Sequence, residues 1–390
     1  MFKTFVKQKL VSITSLLFVF VLMVDPGNSV LRLKIPSFLL LIISLFLSDR
    51  PNIKYVGIIL SLVAMHMISV MMGILGGVEM DGQICSQYLL FYILLIILCW
   101  DKDIDFMLPL TLSCLAVSII SIVGFVAMQS YPFLEEALYQ YSESHNHPFF
   151  MAHRTFLGVE FVSFFYRTLP VVMIPVAIHY ERFLFEKKHR MTNLSMVIIY
   201  LIALFSGGNR TMFLGIFAII AIMTYPKVKH LRIVRLGVIV TMFVGFYIAY
   251  LAITDSDSES SSVKFGHLLS YADLLNGHLE YLAFGMGPGA YFYSKGEGEV
   301  ISITEWTYFE IIRMYGLIGL LIFLYLLLFP IIKHNNRLHP VRYWRSISWS
   351  YLFFLISCMS NPYLIGSTGL VCIAFMYSVV SNPKYKIEKV

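Results

Sequence analysis

Charged residues are scarce in this chain of 390 residues, because aspartate, glutamate, lysine and arginine together make up only 13%. An average soluble domain carries about 25% charged residues. Hydrophobic residues reach 58%, and the mean hydropathy is +0.77. This composition excludes a soluble globular fold and predicts a chain that lies largely within a lipid bilayer.

Cysteine is rare as well, and the five cysteines lie in or near apolar runs without the spacing of a metal site. No phosphate-binding glycine loop, dinucleotide fingerprint or nucleophile elbow occurs, which argues against an ATP-driven machine. His145, His147 and His153 cluster, but their spacing matches no strong ligand pattern and favours a solvated loop. The sequence therefore predicts neither a metal nor an organic cofactor.

The formal net charge of +6 does not indicate nucleic-acid binding, since the basic residues form short clusters between apolar runs. Such clusters are typical of cytoplasmic loops in membrane proteins. Twelve apolar runs predict twelve transmembrane helices: 10–24, 36–48, 55–75, 84–100, 107–128, 161–180, 194–208, 211–225, 233–253, 306–332, 344–360 and 363–381. Lys3, Lys7 and Lys9 precede the first run, which we interpret as an uncleaved helix.

Most of the 29 basic residues fall on one side if the N-terminus is cytoplasmic. The predicted fold is therefore an all-α, multi-pass, single membrane domain (1–390) with both termini cytoplasmic. Two long loops then lie outside the cytoplasm, at 129–160 and 254–304. In the second loop, Phe265, Leu268 and Leu269 follow a helical spacing, so we expect a short helix or lid over the outer face.

Arginines that this topology places at or below the outer surface are candidate functional residues, because charge is costly there. Arg210 ends the break Ser206-Gly207-Gly208-Asn209-Arg210 between two short runs, where Asn209 is a plausible helix cap. The free amides of the helix that follows, together with Arg210, would form an anion site. The alternative is an interfacial arginine that reaches towards water.

Arg167 and Arg313 each lie about two turns inside a predicted span. Arg313 has Glu310 three residues before it, so an ion pair on one helix face is as good an interpretation as anion binding. Arg167 has no acidic neighbour at helical spacing except Glu160, and it needs a partner from another helix or from a ligand.

Glu305 opens the tenth predicted span, at the start of Thr304-Glu305-Trp306-Thr307. A carboxylate at a helix start is ordinary electrostatics of the helix dipole, but it is also well placed to act as a general base on the outer side. Further candidates for contacts with an acceptor or within the loops are His267, His278, Glu310 and Arg154.

Three features occur in this order within residues 190–330. They are the short span that ends in Ser206-Gly207-Gly208-Asn209-Arg210, Gly285-Met286-Gly287 late in the long loop, and a helix through Gly316-Leu317-Ile318-Gly319. In this order and topology the chain resembles the O-antigen polymerase and O-antigen ligase superfamily of the bacterial inner membrane. The ligases of that family carry a histidine eleven residues before the last motif. Glu305 stands at that place here, which favours a Wzy-type polymerase.

The resemblance implies an enzyme that joins undecaprenyl-pyrophosphate-linked oligosaccharide repeat units at the periplasmic face, without a metal or cofactor. It places a dianionic pyrophosphate at the outer surface, where the predicted topology puts Arg210, Arg167 and Arg313 as its expected ligands and Glu305 as the expected catalytic base. It also implies membrane lipid, a chain-length regulator and a flippase of the same pathway as partners. Two alternatives stay open, a ligase that transfers the glycan to lipid A-core and a flippase for lipid-linked oligosaccharides.

Overall fold

The computed structural model describes residues 2–48, 51–145, 147–156, 159–228, 259–276, 278–335 and 341–385. In this part of the chain the fold is mostly helical, as the composition predicts. The α-helices are α1 (Phe2–Val24), α2 (Lys34–Ser48), α3 (Ile53–Leu75), α4 (Gly82–Leu94), α5 (Met107–Ser130), α6 (Leu134–Ser144), α7 (Met173–Phe185), α8 (Arg190–Ser206), α9 (Arg210–Val228), α10 (Glu259–Leu275), α11 (Leu279–Phe284), α12 (Thr307–Asn335), α13 (Trp344–Ser357) and α14 (Ser367–Ser381). Short 3-10 helices extend α4 to Trp100 and α13 to Ser360, and others cover Leu169–Val172 and Pro383–Tyr385.

Five helical segments of the described chain are long and apolar enough to cross a membrane, which is compatible with a multi-pass membrane protein. They are Lys7–Val24, Tyr55–Leu75, Gly82–Trp100, Met107–Ser130 and Thr307–Asn335. Helices α2, α8, α9 and α14 are apolar but shorter, and a helix of 15 residues is only about 22 Å long. Twelve crossings remain a prediction, and the ninth predicted span lies outside the described residues.

The sixth predicted span is wrong in its first half, because residues 161–166 are not helical. Strand β2 (Val159–Tyr166) pairs antiparallel with β1 (Phe149–Phe156), with Phe149 opposite Tyr166. A second hairpin joins β3 (Phe292–Ser294) to β4 (Glu299–Ile301). The all-α expectation therefore needs correction in these two places. The sequence of β2 is rich in phenylalanine, valine and tyrosine, which suit a strand as well as a buried helix.

Helix α14 lies at the centre of the bundle, because all its residues are buried. It packs against α1, α5 and α12, and Ser378 at its far end donates to the carbonyl of Ile104. The first turn of α14 is thereby fixed at one end of the bundle, beside the α1–α2 connection.

The described part of the second long loop contains the helix that the spacing of its apolar residues predicts, namely α10. After α11, the segment Gly285–Gly289 runs between α3 and α12. Its amides at Met286 and Gly287 donate to the carbonyls of Arg313 and Met314, at 2.8 and 3.2 Å. Those carbonyls are available because α12 is interrupted at Gly316, where φ is +67°. The glycine segment thus replaces the hydrogen bonds that the interruption removes.

Candidate functional site

A cavity of about 320 Å³ lies at the end of the bundle where α1 connects to α2 and α13 connects to α14. Residues of five segments line it: the α1–α2 loop with the first residue of α2, α4, Arg167 after β2, residues 303–314 at and before the start of α12, and residues 362–370 at and before the start of α14. Several of the lining residues are polar, among them Lys34, Gln87, Tyr88, Arg167, Glu310, Ser367 and Thr368.

The α1–α2 loop is held rigid by Asp25, whose side chain is completely buried. Its carboxylate accepts the backbone amides of four consecutive residues, 29–32. The shortest of these hydrogen bonds, from Leu31, is 2.7 Å long. The loop in turn holds Lys34, the first residue of α2, because Asn28 Oδ1 accepts its amide at 3.0 Å. The Lys34 ammonium donates to the carbonyl of Pro26 at 2.8 Å and also lines the cavity.

Arg167 follows strand β2 directly and also lines the cavity. Its backbone is fixed at both groups, since its amide donates to Pro148 O at 3.0 Å and its carbonyl accepts Thr368 Oγ1 at 3.3 Å. The guanidinium forms no hydrogen bond or ion pair with any residue of the described chain. The sequence predicts that Arg167 needs a partner from another helix or from a ligand, and within the described ranges no helix supplies one.

Lys34 and Arg167 are close enough to repel one another. Burial, and then the charge of Arg167, lower the pKa of Lys34 to about 8, whereas Asp25 acts in the opposite direction. Asp25 offsets this only in part, since the pKa of Lys34 stays below its ordinary value. Two cations therefore face one cavity without a dedicated carboxylate, an arrangement that an anionic ligand would stabilise.

The first turn of α14 adds further donors to this end of the cavity. Gly366, Ser367 and Thr368 line it, and the amides of Ser367 and Thr368 have no acceptor among the described residues. The positive end of the helix dipole favours negative charge at this place. The Ser367 hydroxyl donates to Pro26 O at 3.0 Å, which ties the helix start to the lysine loop.

Glu310 and Arg313 form a closed ion pair on the α12 side. Arg313 Nε donates to Glu310 Oε2 at 3.0 Å, and Nη2 donates to Glu310 Oε1. The remaining donors reach the carbonyls of Ala290 and Ser302 at 2.6 and 2.8 Å. Arg313 is completely buried, so this geometry is that of the pairing alternative and it ties two loop segments to α12. Glu310 lines the cavity, and Tyr271 also donates to its Oε2 at 2.8 Å.

Arg210 begins α9, and the position of its side chain lies outside what the structure describes. The predicted cap before it is confirmed: Asn209 Oδ1 accepts the amides of Thr211 and Met212 at 3.1 and 3.3 Å. Asn209 Nδ2 also donates to the hydroxyl of Tyr363, a residue of the cavity wall, at 3.4 Å. The start of α9 is therefore adjacent to the cavity.

Glu305 lies just before α12 and is not one of the cavity-lining residues. Its side chain is 53% exposed and pairs with Lys264 Nζ at 2.8 Å. It is close enough to Tyr363 to interact electrostatically with that cavity residue. The carboxylate thus stands at the rim with a basic partner, and its predicted role as a base remains a prediction.

The remaining candidates lie away from the cavity lining. Arg154 is exposed on β1, opposite Phe161. His267 is buried in α10, with Nε2 at 3.6 Å from Glu297 Oε1. His278 is exposed, and its Nδ1 lies 3.1 Å from Glu280 Oε1.

Sequence analysis did not single out Lys34, although one signal was available. Like Arg210, it is a basic residue in a segment that the topology places outside the cytoplasm, where few basic residues are expected. Tyr88, Ser367 and Thr368 carry no such signal, since each lies in or beside an apolar run.

No protein-family model, no curated protein and no solved structure is significantly similar to this chain.

Proposed function

We propose that the protein is a Wzy-type glycosyltransferase that polymerises undecaprenyl-pyrophosphate-linked oligosaccharide repeat units into O-antigen or a related surface polysaccharide. Its place would be the periplasmic face of the bacterial inner membrane, with both termini cytoplasmic. One observation carries the proposal. Lys34 and Arg167 face a single cavity, and neither forms an ion pair with a carboxylate of the described residues; the amides of Ser367 and Thr368 beside them have no acceptor in that part of the chain.

The polar lining of this end is dominated by donors, which suits a ligand rich in acceptor oxygens. A pyrophosphate that links a lipid to a sugar carries two negative charges and matches the two cations. Apolar lining residues, among them Leu90, Phe91 and Leu94 of α4, are compatible with the first part of a hydrocarbon chain. Arg210, the first residue of the adjacent helix α9, would add a further donor.

In the proposed reaction the bond between the anomeric carbon of the donor sugar and the pyrophosphate oxygen breaks, and the electron pair leaves with the pyrophosphate. A hydroxyl at the non-reducing end of a new lipid-linked unit forms the new bond to that carbon. Its proton passes to Glu305 at the rim. The role of Lys34 and Arg167 is to stabilise the charge that develops on the leaving pyrophosphate.

The test is the length distribution of the surface glycan in a strain that lacks the gene and carries plasmid-borne variants. We expect Lys34→Gln, Arg167→Gln and Arg210→Lys to reduce the ladder to single repeats while the protein stays in the membrane. The last variant keeps the charge but loses the bidentate fork. Arg32→Gln is the matched control, because Arg32 is an exposed basic residue of the same loop.

A full ladder in both Lys34→Gln and Arg167→Gln would refute the anion site. The strain that lacks the gene and carries no plasmid-borne copy separates the three possible functions. Lipopolysaccharide capped with one repeat indicates a polymerase, and complete absence of O-antigen indicates a ligase. Accumulation of lipid-linked units on the cytoplasmic side indicates a flippase.

A further inference from the structure

Tyr88 lies on α4, in the wall of the cavity, and is 8% exposed. The start of α4 is rigid, since Asp81 Oδ1 accepts the amides of Gln83 and Ile84 at 2.8 and 3.2 Å. The amide of Asp81 in turn donates to Gly289 O at 2.8 Å, which anchors this end of the helix to the glycine segment. The position of Tyr88 is therefore set by backbone contacts and not by its own hydroxyl.

The Tyr88 hydroxyl forms no hydrogen bond with the residues that the structure describes. It is also not one of the polar atoms that are sealed from solvent. A tyrosine hydroxyl in a largely buried position normally has a partner. An unused donor at the wall of a cavity points to a ligand there.

The surroundings of Tyr88 indicate the kind of ligand atom it would contact. It interacts electrostatically with Arg167 and with both members of the Glu310–Arg313 pair. Glu310 lines the same cavity, but its carboxylate accepts from Arg313 and Tyr271 and not from Tyr88. Among the described residues the hydroxyl therefore has no acceptor, and the guanidinium of Arg167, which forms no ion pair there, lines the same cavity.

We infer that Tyr88 is a ligand-binding residue of this cavity, whose hydroxyl donates a hydrogen bond to a phosphate oxygen of the lipid diphosphate. The inference rests on the proposed function, in that it takes the ligand to be a diphosphate. It adds a neutral donor from α4 to the cations from the α1–α2 loop and from β2. The ligand would then be held from three separate segments of the chain.

The experiment measures binding of geranylgeranyl diphosphate to the full-length protein in detergent by isothermal titration calorimetry, with geranylgeraniol as the uncharged probe. We expect Tyr88→Phe to weaken diphosphate binding about 10- to 100-fold, the usual effect of losing a hydrogen bond to a charged group. Binding of the alcohol should stay unchanged. Tyr92→Phe is the matched control, because Tyr92 lies one turn further on α4 with its hydroxyl sealed inside the protein.

Wild-type diphosphate affinity in Tyr88→Phe, together with a loss in Arg167→Gln, would overturn the role of Tyr88 and leave the proposed function standing. An equal loss of alcohol and diphosphate binding in Tyr88→Phe would also overturn it, since that pattern reflects altered packing. Unchanged affinity in both Tyr88→Phe and Arg167→Gln would refute the anion site itself, and the proposed function with it.

Discussion

Gly285 and Gly316 lie at the two sides of one backbone contact between the glycine segment and the interrupted helix α12. A Cβ atom at Gly285 would overlap the backbone of Met314 and Tyr315, and one at Gly316 would overlap the backbone of Ala283 and Phe284. Both residues have positive φ, at +79° and +67°. Two glycine motifs that are separate in the sequence therefore form a single packing unit.

This contact predicts that Gly285→Ala and Gly316→Ala strongly reduce the yield of folded protein. Gly298→Ala is the matched control: its φ is +74°, but nothing lies within 4 Å of the added atom. The control should lose only about 1–2 kcal/mol from backbone strain. Thermal unfolding in detergent measures the difference, and equal effects at all three positions would show that the close contact is unimportant.

The closed Glu310–Arg313 pair predicts a structural role for Arg313. Arg313→Met leaves a buried carboxylate without its partner, which typically destabilises a protein by about 3–5 kcal/mol. We expect little folded protein from this variant and partial recovery in Glu310→Leu/Arg313→Met. Size-exclusion chromatography of a fluorescent fusion provides the measurement. A well-folded Arg313→Met that fails to bind diphosphate would instead assign Arg313 to the ligand.

Lys34 predicts a pH dependence of ligand binding. With a pKa of about 8, its charge is present below pH 8 and disappears as the pH rises past that value. Affinity for geranylgeranyl diphosphate should fall about 10-fold between pH 7 and 9.5 as this charged contact is lost. Lys34→Arg should bind equally at both pH values, since a guanidinium stays protonated there. The same decline in Lys34→Arg would contradict this assignment.

Glu305 and Glu310 are predicted to differ in their effects on chain growth. If Glu305 accepts the proton of the acceptor hydroxyl, Glu305→Gln should slow polymerisation about 100- to 10,000-fold with the protein intact. Glu310→Gln should mainly reduce the amount of folded protein, because it weakens the pair with Arg313. Rates per amount of purified protein separate the two effects. If Glu305→Gln still made long chains, Glu305 would not be the base, and its role would be limited to the surface ion pair with Lys264.

The proposed topology predicts which surfaces face the periplasm. In a background without native cysteines, Tyr293→Cys should react with an impermeant thiol reagent on intact spheroplasts, because Tyr293 is 59% exposed on β3. Lys187→Cys, in the exposed connection after α7, should react only after the membrane is broken. The reverse pattern would invert the topology and exclude a periplasmic cavity.

Apolar composition alone determined much of the helical architecture. The predicted runs at 55–75 and 107–128 match α3 and α5, because about 20 apolar residues in a row can satisfy their backbone in lipid only as a helix. The break before Arg210 was equally predictable, since glycines end α8 and Asn209 caps α9.

Only the tertiary structure decided which polar residues meet. Residues 161–166 became a strand because β1 pairs with them, and hydropathy does not record pairing across the chain. The same hairpin positions Arg167 at the cavity. Lys34, 133 positions earlier in the chain, and the start of α14, near the C-terminus, line the same cavity. Local sequence sets the charge, the cap and the helix of each segment. Contacts between distant segments, which packing and backbone hydrogen bonds select together, determine that these groups face one cavity.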